Sequence, residues 1–115
     1  MGPMGRKVQA ELVKLITRAL GESKVHSEMN EHEVTVSALI NRKISVVIRV
    51  ESLPTHIDIH QHISLSSLSA HEATATAALL IDVGVRVRNA ENLVSNYMKT
   101  QPGARVSSEF APVEI

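Results

Sequence analysis

The run Asp82-Val83-Gly84-Val85-Arg86-Val87-Arg88 admits two readings, and the architecture of the chain turns on the choice. Its valines alternate with small or charged residues, as a half-buried strand would. Val83 and Val87 also continue a stripe that begins at Leu79 and runs on through Ala90, Val94 and Tyr97, which is the spacing of one helix face. The stripe is the longer pattern, so we read a helix throughout, with Gly84 as its weak point because glycine has the most backbone freedom to lose. The competing reading ends the helix near Ile81, inserts a short strand and opens a last helix after Asn89.

Just upstream, Ser69-Ala70-His71-Glu72 has the form of a capping box, and the run Ala73 to Leu80 propagates a helix from it. The small residues of that run suit close packing, and we read them as part of a core helix in preference to a dimer seam. Gln101-Pro102-Gly103 then stops regular structure. Ala104 to Ile115 reads as a tail able to add an edge strand or to dock Phe110 on a partner.

At the other end of the chain, Val8, Leu12, Leu15, Ile16 and Ala19 fall at helical spacing, and Gly21 stands where a left-handed C-cap belongs. Lys24 to Met29 is a candidate first strand, with a turn near Asn30-Glu31. Glu33 to Ile40 and Lys43 to Val50 alternate with period two and flank the turn Asn41-Arg42, so they form a hairpin. Its core phase holds Ile44, Val46, Ile48 and Val50. Leu53-Pro54 interrupts the ladder, because proline has no N–H to donate. The fold class expected is α+β: an N-terminal helix, an antiparallel meander of three or four strands and a long C-terminal helix. Residues 1–6 are expected to be a disordered leader, 7–100 a single domain and 101–115 a C-terminal tail.

With 115 residues the chain has room for one core. Twelve basic residues balance twelve acidic ones, which removes the global field that draws proteins to nucleic acid or anionic membranes. Cysteine is absent, so disulfides and thiolate chemistry are excluded, in keeping with the cytoplasmic location we expect. No apolar run reaches the length a bilayer demands. Tyr97 and Phe110 are the only aromatics, which argues against stacking platforms for single-stranded nucleic acid. There is no glycine cradle for phosphates, no Gly-x-Ser-x-Gly elbow around the serines at 64–69, and no close carboxylate pair for acid and base roles. Catalysis is not expected, nor is a cofactor.

The densest group of ligand-type side chains is Thr55-His56-Ile57-Asp58-Ile59-His60-Gln61-His62-Ile63. Ile57, Ile59, Ile63 and Leu65 fall in one phase of a strand, and His56, Asp58, His60, His62 and Ser64 in the other. Same-face Cβ atoms two residues apart are roughly 6–7 Å apart, so His60 and His62 are the candidate metal pair, while His56 lies roughly 13 Å from His60. The histidine face is shared with Ser45, Val47, Arg49 and Glu51, of which only Glu51 is a good ligand. His26 and His32 are expected to share the phase of Val34 and Val36 and to point away. With only two convergent ligands, metal affinity is expected to be micromolar at best.

Helix, antiparallel strands and helix together resemble the small secretion chaperones of bacterial type III systems, which also open with an amphipathic helix ending in Leu-Gly, here Leu20-Gly21. The resemblance covers the chain up to Leu65. Beyond it the chain departs, since the second hairpin and the acidic character of those chaperones are missing. The layout is also that of small phage and plasmid proteins that bind and inhibit a host factor. The function expected is therefore protein binding, by an adaptor-, chaperone- or inhibitor-like domain that contacts another protein or itself as a homodimer or larger homo-oligomer. Leu39, Val47, Arg49, His56, Asp58, His60 and His62 on the outer sheet face, or a sheet edge, are expected to make the contact. One alternative is a metal-binding protein centred on His60 and His62. Another is a nucleic-acid-binding accessory protein using Arg42, Lys43, Arg86, Arg88 and Arg105, which the neutral charge disfavours.

Overall fold

Helical spacing near the start of the chain produces α1 (Arg6–Leu20), which buries Leu12, Ile16 and Leu20 along one stripe. It ends where Gly21 turns left-handed at φ 69° and donates its N–H to the carbonyls of Thr17 and Arg18. Four strands follow: β1 (Val25–Asn30), β2 (Glu33–Leu39), β3 (Ile44–Ser52) and β4 (Ile57–Leu65). The computed structural model describes residues 4–21, 24–102 and 106–114, with backbone alone at 107–114. Of the residues read as a leader, Met4 is buried, with its N–H bonded to Glu31 O, and Arg6 already belongs to α1. Residues 1–3 lie outside the described residues.

The meander is antiparallel throughout, and its alternation sorts the side chains cleanly. Val34, Val36 and Ala38 of β2, Ile44, Val46, Ile48 and Val50 of β3, and Ile57, Ile59, Ile63 and Leu65 of β4 are buried in one core. Both helices lie on that side. α2 (Ala70–Lys99) is continuous through Asp82–Arg88, so the helical reading of that run holds, and Val83, Val87, Ala90, Val94 and Met98 are its buried stripe. Tertiary burial of the stripe outweighs the local alternation and the glycine, and Gly84 has nothing within 4 Å of where a Cβ would sit.

A fifth strand, β5 (Val106–Glu114), returns from α2 to pair with β4 in parallel, giving the order β1-β2-β3-β4-β5. The tail therefore does add an edge strand. Its register slips by one residue between Gln61 and Ile63, beside Pro112, which cannot donate to a ladder. The docking role considered for Phe110 concerns a side chain outside those described.

The alanine-rich run meets the core by one face only: Thr76 is buried and Leu79 and Leu80 pack against the core, while Ala73, Ala75, Ala77 and Ala78 are exposed. Thirty residues make a helix about 45 Å long, whereas the nine-residue β4 spans about 30 Å, so the helix is longer than the strands it packs on. Ile81 and Val85, one turn apart on its outward side, are 72% and 64% exposed.

Two polar devices fix the helices. Arg86 donates to Leu20 O at 3.0 Å and pairs with Asp82 at 2.7 Å, bringing positive charge to the carboxyl end of α1. Arg86→Met is expected to cost about 1 kcal/mol in chemical denaturation, the scale of such a charge-assisted cap. At the start of α2 the Glu72 carboxylate accepts from the backbone N–H and the hydroxyl of Ser69. Those two bonds, with Lys43 nearby, hold its pKa below the usual glutamate value. A lowered pKa in the folded state means the contribution is complete above the unfolded value of about 4.3 and is lost as pH falls through the folded one. Acid titration followed by circular dichroism should therefore show early fraying of α2 that is absent in Glu72→Gln.

Candidate functional site

The two helices cover one side of the sheet, and the residues of the opposite phase form an outer face. The turn Leu53-Pro54-Thr55-His56, closed by the Leu53 N–H bonding to His56 O, sets the register between β3 and β4. In that register Val47 stands opposite His62, Arg49 opposite His60, and Glu51 opposite Asp58. The histidine phase of β4 thus faces outward, as its alternation predicts.

The site residues form two neighbouring groups. Toward the β1 end, an open groove of about 610 Å³ is lined by His26, Ser37, Leu39, Ser45 and Val47, among others. Leu39 is 62% exposed there. Leu39 pairs with Ser45 and Val47 with Ser37, so the two apolar side chains are diagonal neighbours. A second groove of about 580 Å³ shares Val47 and adds Thr35, Arg49, His60 and His62. Val47 is the ridge between them.

The second group is polar. His56 Nε2 lies 2.9 Å from Asp58 Oδ1, and His56 Nδ1 lies 2.8 Å from Thr55 Oγ1. A single tautomer serves both contacts: Nε2–H donates to the carboxylate and Nδ1 accepts from the threonine. His60 Nε2 is 3.7 Å from Asp58 Oδ2, too long for a hydrogen bond. Glu51, Asp58 and His60, all half-buried, offer ligand atoms that lie within 4.8 Å of one another.

The convergent partners of His60 are Glu51 and Asp58, and His62 stands one pleat further along, opposite Val47. Cβ spacing sets His56 apart from His60, yet Asp58 stands between them with one oxygen toward each imidazole. The expectation for His26 is corrected. β1 and β2 are joined by a two-residue loop that pairs Asn30 with Glu33, so odd-numbered residues face even-numbered ones and His26 lies beside Ser37 on the outer face. There its Nε2 is 3.2 Å from Glu28. His32 lies in the loop itself, where its N–H bonds to Asn30 Oδ1.

Lys43 donates to Ser67 O beside the β2–β3 turn that carries Arg42, Arg86 caps α1, and Arg88 is on α2. Arg105 lies outside the described residues. Among the described residues no helix is long and apolar enough to cross a membrane. Comparison with family models, curated proteins and solved structures returns no match to this chain.

Proposed function

We propose that this is a non-enzymatic, cytoplasmic protein-binding domain whose outer sheet face receives another protein or a second copy of the chain. The observation that carries the reading is the pair of grooves flanking Val47, with Leu39 exposed at the margin of the first. A sheet face with helices on one side only leaves such apolar residues in water unless something covers them. Thr35, Ser37, Arg49 and the histidines surround them with polar groups, the pattern of an interface core with a wet rim. Contact through a sheet edge, at β1 or β5, is the second route. The absence of cysteine suits the cytoplasm.

The test places a charge on the ridge. Val47→Glu should keep the circular dichroism and the denaturation midpoint of the parent to within about 1 kcal/mol, as outward positions do. Its association, read as native mass or as capture of a partner, should weaken by at least about tenfold, because an unpaired carboxylate is costly inside an interface. Unchanged association in a folded Val47→Glu would move the contact off this face.

A further inference from the structure

We propose that Glu51, Asp58 and His60 form a binding site for one divalent transition-metal ion, with zinc as the natural probe. The site does not depend on what docks on the sheet. Three observations converge on it. The first is geometric: tetrahedral coordination with bonds near 2.0–2.1 Å sets donor atoms about 3.3 Å apart, and the three ligand atoms already lie within 4.8 Å of one another. Small side-chain rotations close the difference.

The second observation is electrostatic. Glu51 and Asp58 are direct cross-strand partners, and like charges directly opposite one another destabilise a sheet. A cation between them turns that repulsion into attraction. Arg49, opposite His60, is exposed and able to turn toward solvent.

The third observation is the support behind the ligands. His56 donates to Asp58 Oδ1 and is itself held by Thr55, so the carboxylate is oriented before any ion arrives. Metal-ligating carboxylates are commonly steadied by such a partner. His60 Nε2 makes no hydrogen bond to Asp58 at 3.7 Å, so its lone pair can turn to an ion. A donor set of one imidazole and two carboxylates, without thiolate, selects zinc, nickel, iron or manganese over soft ions. Three protein ligands leave a coordination position open to water or to a donor from a partner.

The experiment is a zinc titration by calorimetry on the full chain, repeated with cobalt so that the visible absorption reports coordination geometry. One ion per chain is expected at micromolar affinity or tighter, with a rise in melting temperature. Asp58→Asn and Glu51→Gln, which preserve shape, should each weaken binding by at least about tenfold, and His56→Gln by a comparable factor through loss of support. His62→Ala should bind as the parent does. Circular dichroism on each variant separates loss of the site from loss of the fold. The proposal is overturned by absence of stoichiometric binding, by Asp58→Asn and Glu51→Gln binding like the parent, or by loss of binding in His62→Ala alone.

Discussion

Ile48→Ala is expected to lower the stability of the protein by about 2–5 kcal/mol, a large part of the roughly 5–15 kcal/mol available to a domain of this size. Ile48 is fully buried on the central strand, flanked in register by Val36 on β2 and Gln61 on β4. Truncation removes its burial and leaves a cavity among strands whose ladders hold them in place, so the site cannot collapse around the loss. One residue away, Val47 belongs to the outer face, and Val47→Ala should cost less than about 1 kcal/mol. Urea denaturation of the two variants tests which face of the sheet the helices cover. If Val47→Ala proved the more damaging, the helices would have to lie on the other side.

That contrast was legible in the sequence because Ile44, Val46, Ile48 and Val50 repeat with period two and the opposing strands repeat in step. Once one face is apolar, a one-residue slip would expose it, so register and face are fixed together. The histidine phase of β4 could be assigned to the outer face for the same reason. What periodicity does not carry is the row in which two strands meet. Period two puts Glu51 on the histidine face, but its position opposite Asp58 depends on the closed turn at Leu53–His56. The tight loop between β1 and β2 likewise inverts parity, which is why period two alone puts His26 on the wrong side.

Longer-range features were less legible still. The tail could be read as a candidate edge strand, but its parallel pairing beside β4 requires a crossover through α2, and no local pattern announces one. Which face of the alanine-rich run turns outward is equally hard to read, since Ala73, Ala75, Ala77 and Ala78 are exposed while Thr76 among them is buried. The core stripe of α2 was easier to see, because Val83, Val87, Ala90 and Val94 recur over several turns.

Gln61 is the residue that periodicity passes over, and replacing it should have the second large effect, of opposite sign. It occupies the core phase of β4 between Ile59 and Ile63, opposite Ile48, and is 2% exposed. Neither atom of its amide group finds a hydrogen-bond partner among the described residues. An amide can make up to about four hydrogen bonds to water, and burying it unsatisfied costs about 1–3 kcal/mol. Leucine is close in volume and has nothing to satisfy, so Gln61→Leu is expected to raise stability by about 1–3 kcal/mol in urea denaturation, with an unchanged m-value. Gln61→Glu should do the reverse, since the same pocket would then hold a charge. A loss of stability in Gln61→Leu would mean that the amide is satisfied by a buried water or by the strand beside the bulge. In that case the slip between Gln61 and Ile63 would be understood as the backbone accommodation that supplies its partner.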